Sequence, residues 1–304
     1  MAARSLRLGT RGSALARAQA DLVRRDLEAR NPGLAVELVL IRTTGDQLQQ
    51  GPLAQVGGKG LFIKEIEEAL VAGTIDCAVH SMKDVPAALH TGLVVGAIPR
   101  REDPRDVLVS HAGSLAGLAP GAKVGTASIR RRVQLLARRR DLDVTILRGN
   151  VDTRLRRWRD GDFDAILLAA AGLARLGISE PAARPLPTDV LLPAVGQGAL
   201  ALECRADDAA TRTVLAAVDD ARSAREVGAE RGFLHGIGGD CNTPLAAHAI
   251  SVGDRIRLRG QVSDPDGTRW LEDEVEGSAD DPVAIGRALA DRLLARGAGA
   301  LLGR

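Results

Sequence analysis

Lys83 and Asp84 stand side by side in His80-Ser81-Met82-Lys83-Asp84-Val85-Pro86, directly after the short apolar run Ile75, Cys77, Ala78 and Val79. An ammonium and a carboxylate at the end of a buried run can pass a proton or set fixed charge against charge that develops on a ligand. A solvated turn with an incidental ion pair is the plainer alternative. Further on, the stretch from Arg130 to Arg159 holds eleven arginines, Arg130, Arg131, Arg148 and Arg154 among them, against three acidic residues. Guanidinium forks suit carboxylates and phosphates. Nucleic acid would favour exposed aromatics interleaved with the basic residues, and Trp158 alone stands in this stretch, so small anions fit better. Genome composition can also raise arginine over lysine, and Lys59, Lys64, Lys83 and Lys123 are the only lysines.

The glycine motifs do not meet nucleotide fingerprints. Gly57-Gly58-Lys59-Gly60 lacks the first glycine of a P-loop and any Ser or Thr after its lysine, and no G-x-G-x-x-G follows a first strand. Lys59 therefore reads as a loop cation. Cys77, Cys204 and Cys241 show no C-x-x-C spacing, which argues against a zinc site or disulfide framework and for a reducing compartment. Cys77 and Cys204 lie in apolar strand patterns and read as inert core. Cys241 lies between Gly236-Ile237-Gly238-Gly239-Asp240 and Pro244, in a loop where a thiol is reachable.

The elements that must carry these groups follow from periodicity. Leu6 and Leu8 alternate in a strand, and Ser13 is placed to cap a helix whose Leu15, Ala18, Leu22 and Leu27 share one side. Asn31-Pro32-Gly33 stops that helix before a buried strand from Val36 to Ile41, a β-α-β unit that implies a parallel sheet. A long loop from Gly45 to Gly60 precedes helical spacing from Leu61 to Ala72, and its Gln47 to Gly58 segment reads as a mobile lid. After a strand at Leu93 to Ile98, Pro99 to Pro104 reads as a crossing into a second α/β pattern. Its strands read at Val107 to Val109, Val124, Val144 to Leu147 and Ala165 to Leu168, with helices from near Ser128 and Thr153. Both Ser128-Ile129-Arg130-Arg131, which opens a helix, and Arg148-Gly149-Asn150, which follows a strand, are expected to turn cations toward the side between the two domains. Arg138 to Arg140 complement a helix dipole. A strand at Ala199 to Leu202 is expected to return to the first sheet. Beyond it come a helix from Ser223 to His235, alternating strands from Ala247 to Trp270 around Asp264-Pro265-Asp266-Gly267, and a closing helix from Pro282 to Arg296.

With 304 residues, 45% hydrophobic but 2% aromatic, the chain has material for two or three cores packed by Leu, Val, Ile and Ala. The net charge of +2 excludes little. Neither a signal-peptide core nor a membrane-length apolar run is read, so a soluble cytoplasmic protein is expected.

Taken together, several strings resemble the porphobilinogen deaminase (hydroxymethylbilane synthase) family. They are Thr10-Arg11-x-Ser13, Val56 to Phe62, His80 to Pro86, Arg101-Glu102-Asp103-Pro104-Arg105-Asp106, Leu147 to Val151, Leu192-Pro193-Ala194-Val195-Gly196-Gln197-Gly198 and the Cys241 loop, in family order along nearly the whole chain. The resemblance implies an α/β fold of two hinged lobes like those of periplasmic binding proteins, with mostly parallel sheets, plus a small C-terminal α+β domain with an antiparallel sheet. Domain 1 is expected at 1–98 with 199–216, domain 2 at 99–198 and domain 3 at 217–304. It further implies a dipyrromethane cofactor joined to Cys241 through a thioether. Four porphobilinogen molecules are then condensed head to tail with loss of ammonia through an azafulvenium cation, and hydrolysis releases hydroxymethylbilane. By the same resemblance Asp84, as a buried carboxylate, steadies that cation, with Lys83 as a partner or proton carrier. Lys83, Asp84, Ser128, Arg130 and Arg131 match cofactor contacts. Arg11, Ser13, Arg148 and Arg154 match contacts to substrate carboxylates, with Gln19, Lys59, Arg101 and Arg175 as further candidates. The family reading carries no metal, nucleic-acid or membrane partner, expects a monomer, and implies a product hand-over to uroporphyrinogen III synthase. Ala127, Asp152 and Asp240 depart from the common family pattern, Asp240 most pointedly because it adds a carboxylate beside Cys241. Two other readings stay open on the residues alone: a non-catalytic hinged receptor for a small polyanion, from the two-lobe pattern, and a nucleic-acid binder through Arg130 to Arg159.

Overall fold

The structure is a computed structural model that describes residues 4–44, 63–240 and 242–303. In chain order the first elements are β1 (Arg4–Arg11), α1 (Ala14–Arg30), β2 (Leu34–Ile41), α2 (Lys64–Val71), β3 (Cys77–Ser81) and β4 (Leu93–Ala97). There follow β5 (Asp106–Ser110), β6 (Lys123–Gly125), α3 (Ile129–Arg138), β7 (Asp143–Thr145), α4 (Val151–Arg159), β8 (Ala165–Ala169), α5 (Ala170–Arg175) and β9 (Ala183–Pro185). The remainder is β10 (Leu200–Arg205), α6 (Ala209–Ala216), α7 (Ala221–Ile237), β11 (Leu245–Val252), β12 (Arg255–Ser263), β13 (Trp270–Ser278), α8 (Pro282–Ala295) and α9 (Ala298–Leu301). Two compact units result, Met1–Arg101 with Ala199–Ala224, and Glu102–Gly198 with Arg225–Arg304.

The first unit holds a sheet in the order β2-β1-β3-β10-β4. β2, β1 and β3 pair in parallel while β10 pairs antiparallel with β3 and β4, so β10 alone runs against the other four strands. The second unit repeats this arrangement as β7-β6-β8-β5-β9, with β5 the reversed strand. In each sheet the reversed strand is the one the chain lays down on entering that unit, β5 after Arg101 and β10 after Gly198. The expected mostly parallel sheets and the return of 199–202 to the first sheet are both borne out.

Side-chain alternation explains why these strands are apolar throughout. Along β3, Cys77 and Val79 face a cluster with Leu8, Leu27, Leu202 and Leu215, whereas Ala78 faces Ile66, Leu70 and Leu93. Along β5, Leu108 faces Val124, Leu135 and Leu167, while Val107 and Val109 face Leu147, Ile166 and Trp158. The second unit also carries an antiparallel sheet, β11-β12-β13, whose central hairpin turns at Asp264 to Thr268. β13 reads Trp-Leu-Glu-Asp-Glu-Val-Glu-Gly-Ser, a charged string that gave no strand signal, yet it pairs with β12 over its whole length. Cross-strand Arg-Glu pairs such as Arg259 with Glu272 account for its pairing. Among the described residues no helix is long and apolar enough to cross a membrane.

Candidate functional site

In an open α/β sheet, ligands are met beyond the carboxyl ends of the parallel strands. β1 and β3 are parallel neighbours paired Leu8 to Cys77 and Gly9 to Ala78, which sets Arg11 level with His80 at that end of the first sheet. Ser13 follows, and its hydroxyl oxygen accepts from the Ala16 amide at 3.3 Å as the N-cap of α1. Gln19, one and a half turns along α1 and buried, donates from Nε2 to Ser81 Oγ at 2.9 Å. β3 then runs into a single 3-10 turn, Met82–Asp84.

That turn decides which side chains face outward. With three residues per turn, Met82 and Val85 share one face, and both are buried, at 1% and 5% exposure. Lys83 and Asp84 occupy the other two faces, the first half-buried and the second exposed. The expectation of a buried Asp84 is therefore corrected: the 3-10 turn after β3 spends its inward position on Met82. Beneath the turn, His80 Nε2 lies 2.9 Å from Glu203 Oε2 of β10, both side chains buried. At the same end of the sheet Arg101 is half-buried and its amide donates to Ser223 Oγ at 2.8 Å.

The second sheet gathers the basic set in the same way. β6, β7 and β8 run parallel, so the segments after Gly125, Thr145 and Ala169 emerge at one end; they carry Ser128, Arg148 and, on α5, Arg175. Ser128 caps α3, its Oγ accepting from the Arg131 amide at 3.4 Å. Arg148 is exposed, and Arg154 donates from Nε to the Gly149 carbonyl at 2.7 Å. Because β5 runs the other way, its first residue, Asp106, lies at this end too.

Asp106 organises the cations around it. Fully buried, it accepts from Arg130 Nη1 at 2.7 Å and Nη2 at 3.2 Å, and from Arg131 Nε at 2.9 Å and Nη2 at 2.7 Å. Burial alone would raise its pKa; the two guanidinium charges overcome this and hold the carboxyl far below the usual range. Burial correspondingly pulls Arg131 below its ordinary value. Arg130 and Arg131 are 5% exposed each, because α3 begins beside the reversed strand and the Asp106 carboxylate draws both guanidinium groups to itself. Arg175 donates from Nη2 to the Gly198 carbonyl at 2.6 Å, and burial lowers its pKa to about 10. Arg138 and Arg139, at the end of α3, donate to the carbonyls of Asp189, Leu115 and Leu118.

Lys59, the Gln47 to Gly58 segment and Cys241 lie outside the described residues. Cys77 and Cys204 are fully buried, with burial raising Cys77 well above its ordinary value and Cys204 to about 11. Sequence reasoning gave no role to Asp106 or to Gln197, which donates from Nε2 to Asp106 Oδ1 at 3.0 Å. The available signal was a lone acid at the head of an apolar strand, in a chain whose next helix opens with paired arginines.

Comparison with known proteins agrees along the chain. The family model described as porphobilinogen deaminase, dipyromethane cofactor binding domain, matches residues 6–213, and that described as porphobilinogen deaminase, C-terminal domain, matches residues 224–295. A protein of Syntrophotalea carbinolica named porphobilinogen deaminase is 52% identical over 303 residues, 99% of this chain and 96% of that protein. One of the same name from Trichlorobacter lovleyi is 50% identical over 302 residues, covering 99% and 97% of the two chains. Another, from Nitratidesulfovibrio vulgaris, is 51% identical over 305 residues, covering 98% and 96%.

Proposed function

The chain belongs to the porphobilinogen deaminase family, and we propose that it condenses four porphobilinogen molecules head to tail and releases hydroxymethylbilane by hydrolysis. Each joining step breaks the aminomethyl C–N bond of one unit, expels ammonia, forms a C–C bond to the free α-carbon of a pyrrole and gives up that carbon's proton. Positive charge develops on the ring that loses ammonia. A carboxylate on the turn after β3 is suited to it: Asp84 can accept the pyrrole N–H and oppose the growing charge, an effect that strengthens once a ligand covers the exposed acid and excludes water. Lys83 beside it serves as counter-charge and proton carrier.

The observation that carries this reading is the surplus of buried positive charge at Asp106. Two guanidinium groups share one carboxylate there, and Arg130 Nε is buried without a hydrogen-bond partner among the described residues. A donor set of that kind fits a carboxylate, and each pyrrole carries acetate and propionate arms. The dipyrromethane cofactor fits it by the same chemistry, with Ser128, Arg130, Arg131, Lys83 and Asp84 as the residues that would hold it and Cys241 as its attachment. When bound, it supplies the pyrrole α-carbon from which the chain is extended. Arg11, Ser13, Arg101, Arg148, Arg154, Arg175 and Lys59 are assigned to substrate carboxylates, and Gln19 to Ser81, which it steadies. A three-domain division and a cytoplasmic monomer that passes its product to uroporphyrinogen III synthase complete the proposal; the reduced, buried Cys77 and Cys204 suit that compartment.

Intact-protein mass tests it directly. The expected mass exceeds that of the sequence by one dipyrromethane, Cys241→Ala loses the increment, and Asp84→Asn keeps it while turnover falls by about 10²-fold or more. An unmodified Cys241 with no ammonia released from porphobilinogen would leave only a polyanion receptor.

A further inference from the structure

The Leu192–Gly198 segment is prominent in the sequence and has no role in the joining chemistry, yet it reaches Arg130, Arg131 and Arg175, directly or through Asp106, at the ligand end of the second sheet. The Leu192 carbonyl accepts from Arg130 Nη1 at 2.7 Å and from Gln134 Nε2 at 2.9 Å, while Gln134 Oε1 accepts from the Leu192 amide at 2.8 Å. Gln197 Nε2 bridges Asp106 Oδ1 at 3.0 Å and the Pro104 carbonyl at 2.6 Å. Gly198 offers its carbonyl to Arg175. The segment is itself held: Glu230 of α7 accepts from the Gly196 amide at 2.7 Å and from the Ala249 amide at 2.9 Å. Gly198 has φ +88, and a Cβ there would lie 2.3 Å from the Glu102 carbonyl oxygen, so the backbone path admits no other residue without moving.

We propose that this loop is a splint for the arginine site, in which Gln197 and Asp106 are positioning residues. Gln197 orients the Asp106 carboxylate, which fixes the Arg130 and Arg131 forks and leaves the pair one positive charge, enough for a single ligand carboxylate. Leu192 and Gly198 hold Arg130 and Arg175 from the same strip of backbone. The inference rests on the reading of these arginines as carboxylate binders and deepens it, because it names what sets their charge and aim.

Position 197 gives the test. The charged groups around it and its loop are Asp106 on β5, Arg130 and Arg131 on α3, Arg175 on α5, Glu230 on α7, and Glu102, Asp103 and Arg105 before β5, with His248 of β11 facing Asp103. In Gln197→Met the two hydrogen bonds vanish without a charge change; KM for porphobilinogen is expected to rise about tenfold at every pH from 6 to 9 with kcat nearly unchanged. In Gln197→Glu an ionised carboxylate of nearly the same size cancels the surplus charge, so KM rises more than in Gln197→Met across the same pH range. A larger rise for the closer isostere is not a consequence of general loosening. Unchanged KM in Gln197→Met, or a rise in Gln197→Glu no larger than in Gln197→Met, overturns the proposal. Arg131→Met separates the two layers: if it keeps a normal cofactor increment and KM, the carboxylate reading itself is wrong, whereas its loss alongside indifferent Gln197 variants removes only the splint.

Discussion

Arg175 stores free energy that binding can release. Burial pulls its pKa down to about 10, partly countered by the Glu102 charge. At about 1.4 kcal/mol per pKa unit, the fold opposes this cation by about 3 kcal/mol. Its Nη2 hydrogen bond to the Gly198 carbonyl returns about 1.5–3 kcal/mol, and Nε is buried without a partner among the described residues. Replacing the charge while keeping the stem, as in Arg175→Met, should therefore leave the fold equally stable or more stable by up to about 1.5 kcal/mol, a melting temperature raised by up to a few degrees. Porphobilinogen binding should weaken in the same variant, so stability and KM rise together. Arg175→Lys adds a sign test: the same burial pulls a lysine below its ordinary value, so KM, relative to the unaltered enzyme, should climb as pH rises and that ammonium loses its proton. Thermal melts followed by circular dichroism, with initial rates at each pH, measure both. A loss of more than about 1 kcal/mol in Arg175→Met would mean the guanidinium is already compensated in the fold and holds nothing in reserve.

The buried thiols should be silent: with Cys241 carrying its cofactor, Ellman's reagent at pH 8 should find no fast thiol in the folded protein and two after unfolding in urea, since burial keeps Cys77 and Cys204 protonated. A rapid reaction in the folded state would contradict the strand burial. At the β12–β13 hairpin, Asp264 is expected to support the fold in a pH-dependent way. Burial raises its pKa, but hydrogen bonds from Thr268 and Arg269 outweigh that and bring it to about 2. Its contribution, about 2 kcal/mol, is thus complete above pH 4 and lost as pH falls through 2. The melting-temperature gap between the unaltered protein and Asp264→Asn should close over that range, and a constant gap would refute the assignment.

Most of the architecture was legible because the strands are covered on both faces and read as unbroken apolar runs bounded by glycine and proline. Ser13 was recognisable as a cap because an N-cap needs only local spacing. β13 was not legible, since its pairing rests on cross-strand Arg-Glu neighbours rather than on apolar alternation. At the site, the family strings pointed to Asp84 and the arginines, but their exposure depended on facts of three dimensions. A 3-10 turn gave the inward face to Met82, and a reversed strand carried Asp106 to the arginines. Neither Gln197 nor Asp106 has a sequence neighbour that betrays the other, because they meet only through strand order.

The place of β10 between β3 and β4 has a bearing on how the molecule is made. A strand laid down about two-thirds of the way along the polypeptide fills the place between β3 and β4, so the main-chain groups that face it must wait unmatched while about a hundred more residues leave the ribosome. Closure across so long an interval is slow. During synthesis, the segment bearing Asp84 therefore stays open, exposed to mispairing with other nascent chains, until Leu200 to Arg205 arrive.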